Sequence, residues 1–230
     1  MSSIEIFVDR REELLEMKAK RLVHGSAITI IFTPDWSEVV VGWSKKPLEQ
    51  RGHVWKFPCG KAEVEDVPDF ERADSTAVQF ANCASRECVN ESGLSEKHFE
   101  FLQALAYVRY SSSRESGALQ QWHFLALLKE RLVLPTEPIE SDEMGDPEYW
   151  KVVDVLRLPT LRHPIAQERK VNPFHQIALV RCILELRDAG LHHDPNFSGF
   201  SDVLTSIYDE GIDIDTYERD VMAKIRSREI

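Results

Sequence analysis

Glu87 and Glu91 stand four residues apart in a stretch whose apolar positions, Val78, Ala81, Ala84 and Cys88, recur at helical spacing. One helical turn apart, they project from the same face, and Asn90, three residues after Glu87, shares it. Hard divalent cations such as Mg²⁺ or Mn²⁺ take oxygen ligands, usually one or two carboxylates completed by water and substrate phosphate. The pair therefore describes a metal platform, although most acidic pairs at this spacing only decorate a solvated helix. Lys56 and Lys61, which flank a turn at Gly60, together with Arg109 and Arg114, are the basic residues that could meet phosphate oxygens beside such a cation. Surface lysines and arginines usually do nothing so specific.

The elements that must position these residues follow from periodicity. Residues 1–24 read as a helical arm, amphipathic from about Arg10. Ala27 to Phe32 is a short β-branched run and reads as a buried strand; Glu38 to Trp43, beyond a turn at Pro34-Asp35, reads as its hairpin partner. A strand from His53 to Pro58 leads into a turn at Cys59-Gly60-Lys61 and an acidic loop from Ala62 to Ser75. The helix that carries the carboxylates is expected over Thr76 to Ser92, with Gly93 just past its end. Residues 99–110 and 119–128 form a hairpin pattern, an acidic loop spans Pro135 to Pro147, and Tyr149 to Val153 reads as another strand. Phe174 to Ala189 is a helix closed by Gly190, and further helical patterns fill Phe200 to Ile230. Strands, a central helix, more strands and then helices predict an α/β sandwich with a helical C-terminal extension.

Around the acidic pair the sequence reads Arg86-Glu87-Cys88-Val89-Asn90-Glu91-Ser92-Gly93-Leu94, preceded by Trp55-Lys56-Phe57-Pro58-Cys59-Gly60-Lys61. This resembles the Nudix hydrolase box, Gly-x5-Glu-x7-Arg-Glu-U-x-Glu-Glu-x-Gly-U, where U is apolar. The flanking residues and Asn82-Cys83-Ala84-Ser85 have some likeness to mRNA-decapping members, although Cys59 replaces a lysine of their pattern. Trp150 to Leu156 is similar to the ending common in the family.

The resemblance implies a Nudix-type α/β/α sandwich with a mixed sheet over residues 25–158; the helical patterns beyond it read as a C-terminal extension, 159–230, packed on that domain. It implies that the Gly60 carbonyl, Glu87, Asn90 and Glu91 face Mg²⁺ or Mn²⁺, that Glu87 or Glu91 helps deprotonate water, and that Arg86 holds the catalytic loop through a carboxylate partner. A later loop supplies another carboxylate in many members; Glu140, Asp142, Glu143 and Glu148 lie there, with Glu143 and Glu148 preferred, against the plainer reading of a solvated acidic loop. Two departures stand out. Asn90 occupies a glutamate position, which removes a negative charge from the site. Arg86 follows Gly60 by 26 residues where the pattern has 14, twelve more. Counted forward from Gly60, the first glutamate of the pattern falls on Asp66; counted back from Arg86, on Val78. Asp66, Glu63 and Glu65 are all candidates to partner Arg86.

The formal net charge of −11 over 230 residues gives no basic track for bare nucleic acid. A metal can still supply positive charge locally, so a nucleotide-derived small molecule is preferred over a capped RNA end. Four cysteines without a CxxC pair, no basic-apolar leader pattern at Met1, and no apolar run long enough to span a bilayer point to the cytosol or nucleus. Trp55, Trp122 and His123 read as core or sheet residues rather than ligands, and His192-His193 as surface histidines. The expected function is metal-dependent hydrolysis of a pyrophosphate bond in a nucleoside diphosphate linked to another group: an NDP-sugar, a dinucleoside polyphosphate or capped RNA. The competing expectation is a weakened or non-catalytic module of the same fold that binds a nucleotide or a protein partner, with Asn90 and the longer loop as its evidence.

Overall fold

A computed structural model describes residues 25–45, 54–63, 66, 75–111, 118–135, 143–157 and 170–227. The arm expected over 1–24, and Glu65, Arg114, Glu140 and Asp142, lie outside them. Strand β1 (Gly25–Phe32) sits in the middle of a mixed sheet. It runs parallel to β6 (Ala118–Leu128), which pairs antiparallel with β5 (Phe99–Ser111). Side chains alternate across β1, so Ile28, Ile30 and Phe32 enter one apolar layer while Ala27 and Ile31 enter layers on the other face. Strand β2 (Glu38–Ser44) divides in the same way, with Val39 and Val41 on the first face and Val40 on the second.

β1 and β2 are joined by a turn in which Asp35 accepts hydrogen bonds from the Thr33 and Ser37 hydroxyls at 2.6 and 2.9 Å. Trp36 takes φ 65°, a left-handed conformation that is costly for a bulky side chain. Its ring is 2% exposed and packs on Phe32, Phe197 and Phe200, which holds the residue there. Past this turn the chain segment 55–61 crosses between the two strands. Its first part, β3 (Trp55–Lys56), pairs with β2 at Trp43 and Gly42; its second, β4 (Cys59–Lys61), pairs with β1 at Ile28, Ala27 and Ser26. The Cys59-Gly60-Lys61 segment is thus strand rather than the expected turn, because its backbone finds partners on β1.

Helix α1 (Ser75–Ser92) covers one face with Phe80, Cys83, Ala84 and Cys88, and ends at Gly93, φ 67°, whose N–H donates to the Val89 carbonyl. Strand β7 (Met144–Lys151) pairs with β2 and begins before the expected Tyr149. The register shifts opposite Gly42, where Asp146 and Pro147 form a bulge, which lets a strand tolerate a residue without an N–H. Val152 and Val153, expected as strand, instead open helix α2 (Val152–Arg157), because Val152, Val155 and Leu156 bury one helical face.

The opposite face of the sheet is covered by α3 (Pro173–Asp188), α4 (Ser198–Asp209) and α5 (Ile214–Arg226). Asn172 caps α3 through the Phe174 N–H, with Pro173 in its first turn, and Gly190, φ 78°, follows its end. Ile177, Val180 and Ile183 of α3, Phe200 and Ile207 of α4, and Ile214 and Val221 of α5 share one core with Ile28 and Ile30. Each such fully buried side chain contributes roughly 1.5–3 kcal/mol. Tyr217 Oη donates to the Leu156 carbonyl at 2.7 Å, and Arg181 pairs with Glu218, which ties these helices to one another and to α2. The C-terminal helices therefore form the second helical layer of an α/β/α sandwich.

Candidate functional site

The crossing segment 55–61 and α1 build the site. Trp55 is anchored between the Trp43 and Trp150 rings, with centroids 5.6 and 4.7 Å away, and its N–H donates to the Lys170 carbonyl. Phe57 is fully buried, and its N–H donates to His175 Nδ1 at 2.9 Å. Alternation then sends Lys56 toward α1. Its ammonium donates to Glu91 Oε1 at 2.6 Å and lies 3.8 Å from the Cys59 sulfur. Glu91 Oε2 accepts the Cys59 N–H at 2.7 Å. Lys56 is 6% exposed and Glu91 1%, so this is a buried ion pair reinforced by a backbone donor.

Burial pushes the Glu91 carboxyl up to about 7 against the pull of Lys56 and the Cys59 N–H. Burial likewise pushes the Cys59 thiol up to about 12. Burial works against the charge of Lys56, but Cys59, Glu91 and Glu143 outweigh it and raise its pKa. Expected as a phosphate contact, Lys56 is turned inward in the structure.

One turn earlier, Glu87 lies directly over Gly60. A Cβ built there would stand 2.0 Å from Glu87 Oε1 and 2.1 Å from its carboxyl carbon, so only glycine leaves room for the carboxylate. The Gly60 carbonyl accepts the Cys83 thiol at 3.6 Å. Burial raises the pKa of Glu87, opposed by Arg86 and Lys56.

Arg86 is clamped. Nε and Nη2 donate to the two oxygens of Asp66, both at 2.9 Å; Nη2 also donates to the Lys61 carbonyl at 3.0 Å, and Nη1 to Glu87 Oε1 at 2.6 Å. Asp66 in turn accepts the Glu63 N–H at 2.8 Å, while Asn82 Nδ2 donates to the Asp66 carbonyl. Burial would raise the Asp66 carboxyl, but the Arg86 hydrogen bonds and the Glu63 N–H hold it below the usual carboxylate range. Of the three candidate partners, Asp66 meets Arg86, and Glu63 contributes only its backbone.

Glu143, just before β7, is exposed, and its charge acts on Lys56, Cys59 and Glu87. Glu148 is held on β7 by the Trp150 indole N–H at 2.8 Å. Asn90 is half-buried on the α1 face and, among the described residues, makes no side-chain hydrogen bond. The Lys61 side chain is exposed; Arg109 stands on β5 opposite Gln120, with its side chain outside the described residues. Trp122 is buried against Phe80 in the core, and His123 is buried in β6 with Nε2 3.3 Å from Gln121 Oε1. His175, which orients the Phe57 backbone, and the inward turn of Lys56 are absent from the sequence reading. Alternation between Trp55 and Phe57 was the available signal for Lys56; nothing in the local pattern singles out His175.

A mixed sheet between helical layers, with a glycine strand pressed against a helix that carries Arg-Glu and a later Glu, defines the Nudix architecture. The Nudix domain of Shewanella oneidensis NrtR, solved with ADP ribose, is similar over 81% of this chain and 99% of its own, with a TM-score of 0.50 at 14% identity. A Caenorhabditis elegans Ap4A hydrolase binary complex (TM-score 0.47, 15% identity) covers 72% of this chain and 99% of its own. A Nudix hydrolase from Nitrosomonas europaea (0.47, 12%) covers 72% of this chain and 89% of its own. No family model and no curated protein matches the sequence. The chain has the Nudix fold, as the likeness to the Shewanella domain shows and the box-like residues led one to expect.

Proposed function

We propose that the chain is a metal-assisted pyrophosphohydrolase acting on a nucleoside diphosphate linked to a second group. The observation that carries this reading is the Glu87 carboxylate lying over Gly60, with its neighbour Arg86 locked by Asp66. The oxygens near this point are hard donors: Glu87, the Gly60 carbonyl and Glu143. Among the described residues no group of three or more His, Cys, Asp and Glu side chains is gathered as a ligand set. Hard oxygen donors of this kind suit Mg²⁺ or Mn²⁺, which keep several waters and use one or two carboxylates plus substrate phosphate. Bound there, the cation would polarise phosphoryl oxygens and make a water more acidic.

Within the chain, Glu87 holds the cation and Glu143 adds a second carboxylate. Arg86 is a positioning residue: it touches Glu87 and the Lys61 carbonyl, so it sets the distance between α1 and β4. Lys61, exposed beside the cradle, is the phosphate contact. ADP ribose in the Shewanella domain has the same chemical class, a nucleoside diphosphate carrying another sugar. The net charge of −11 favours such small molecules over a capped RNA end. Among the described residues no helix is long and apolar enough to cross a membrane. All four cysteines are free, in keeping with a reducing compartment, cytosol or nucleus.

Incubation of the chain with Mg²⁺ or Mn²⁺ and a panel of NDP-sugars, dinucleoside polyphosphates and capped dinucleotides tests the reading. Two phosphorylated products are expected from at least one of them, and no turnover of any at millimolar Mn²⁺ contradicts it. A second reading, a nucleotide-binding module with little catalysis, is favoured by one observation: Asn90 contributes no charge. Asn90→Glu separates the two, since a weakened enzyme gains about tenfold or more in rate and a binding module gains none.

A further inference from the structure

We propose that a polar row on the sheet face away from α1, made by Lys61, Ser26 and Gln121, holds the nucleoside half of the substrate, with the Gln121 amide in contact with the base. This rests on the reading above that the substrate is nucleotide-derived, and it deepens that reading by giving the nucleoside a place on the sheet.

The register sets the row. Ser26 of β1 stands opposite Lys61 of β4 on one side and opposite Gln121 of β6 on the other, so the three side chains leave the same face of three neighbouring strands. Ala27, Gly60 and Trp122 make the next row, which lies on the α1 side, where Gly60 meets Glu87. Lys61 is exposed and Ser26 and Gln121 are half-buried, whereas Ile28 and His123, next along this face, are buried. The row is therefore the rim at which the core ends. Among the described residues β4 has a strand partner only in β1, so its outer edge connects the Glu87 cradle with this face. Two strand spacings separate Lys61 from Gln121, roughly 10 Å, about the reach of a base from its phosphate.

Gln121 is oriented from beneath. His123 is 0% exposed, and its Nδ1 has no hydrogen-bond partner among the described residues. The ring's one bond is between Nε2 and Gln121 Oε1, at 3.3 Å. A buried N–H without an acceptor is costlier than a bare lone pair, so the proton sits on Nε2 and is donated to Oε1. Burial keeps the ring neutral and lowers its pKa to about 3. With its oxygen engaged, Gln121 presents two amide hydrogens, which match the acceptor atoms of a base edge. Charge gives the direction: the cation stands at the β4 end and neutral polar groups at β1 and β6, so phosphate belongs at Lys61 and the uncharged base at Gln121.

Calorimetric titration of the purified full-length chain with AMP, GMP, CMP, UMP and ribose 5-phosphate tests this. At least one nucleotide is expected to bind about fivefold or more tighter than ribose 5-phosphate. Gln121→Glu keeps the size of the side chain and an oxygen for His123 but removes both donors, and it should bring that ratio below about twofold. Every ligand carries the same phosphate, so the ratio cancels the effect of the new charge on it. A ratio that Gln121→Glu leaves unchanged, or a wild type without the preference, overturns the inference. Should Gln121→Glu fail to fold, Gln121→Met is expected to lose the preference likewise, and its retention again overturns the inference. Turnover of the substrate panel separates the two readings. Hydrolysis without a Gln121-dependent preference leaves the hydrolase reading standing and removes the nucleoside site; the preference without hydrolysis of any substrate does the reverse.

Discussion

Replacing Asp66 by Ala isolates the clamp that joins the long loop to the helix. The carboxylate accepts two bonds from Arg86 at 2.9 Å and one from the Glu63 N–H at 2.8 Å, and its side chain is 3% exposed. Breaking a fully buried ion pair costs about 3–5 kcal/mol. Arg86 is 27% exposed and keeps Glu87 and the Lys61 carbonyl, so solvent and these acceptors reduce the cost to about 2–3 kcal/mol. At about 2–4 °C per kcal/mol for a chain of this size, Tm should fall by about 4–12 °C. Urea unfolding followed by circular dichroism measures the change, and a double-mutant cycle with Arg86→Met isolates the pair. A coupling energy above about 1.5 kcal/mol is expected; one below about 0.5 kcal/mol would refute the clamp. Glu63→Ala is the control. Its side chain is exposed and only its backbone is used, so its effect should stay within about 0.5 kcal/mol.

Gly60→Ala puts a methyl group 2.0 Å from Glu87 Oε1 and must displace that carboxylate. Mn²⁺ affinity and turnover should both fall by about 10–100-fold while the chain still folds, which titration and circular dichroism together would show. His123 is neutral in the folded chain, its pKa lowered to about 3 by burial and by Arg181. The unfolded chain therefore binds a proton below about pH 6.5 that the native state does not, and stability falls with acid by up to about 1.4 kcal/mol per pH unit until about pH 3. His123→Gln should flatten the dependence of urea-unfolding free energy by that amount between pH 6 and 4; an unchanged slope contradicts it. Glu91, raised to about 7, acts in the opposite sense, losing its contribution as pH rises from 4.5 to 7, and cancels in this comparison.

The carboxylate helix and the sandwich were legible because their signals are local. The spacing from Val78 to Cys88 marks the helix, although Val78 and Ala81 turn out exposed and the buried face is Phe80, Cys83, Ala84 and Cys88. Ala27 to Phe32 is a short β-branched run, and Gly93 and Gly190 mark helix ends with the left-handed φ that favours glycine. The partner of Arg86 was not, since twelve extra residues leave Glu63, Glu65 and Asp66 within reach and only loop closure selects Asp66. The strand β4 was hidden for a related reason: its pairing partner is β1, 31 to 35 residues away in sequence, and the glycine in its centre reads locally as a turn. Val152 and Val153 are β-branched, but their neighbours Val155 and Leu156 bury at helical spacing, and the packing of that face against α4 and α5 overrides propensity. Lys56 and Glu91 are 35 residues apart, and a buried pairing at that distance is a property of the sheet's division rather than of any motif.

Turnover in water enriched with ¹⁸O reads out hydrolysis at the metal site itself. With Mn²⁺ and the best substrate of the panel, two phosphorylated products are expected, one of them carrying a single ¹⁸O from attacking water, with a loss of rate of about 100-fold or more in Glu87→Gln. Products free of ¹⁸O, or a rate that Glu87→Gln leaves unchanged, would contradict it.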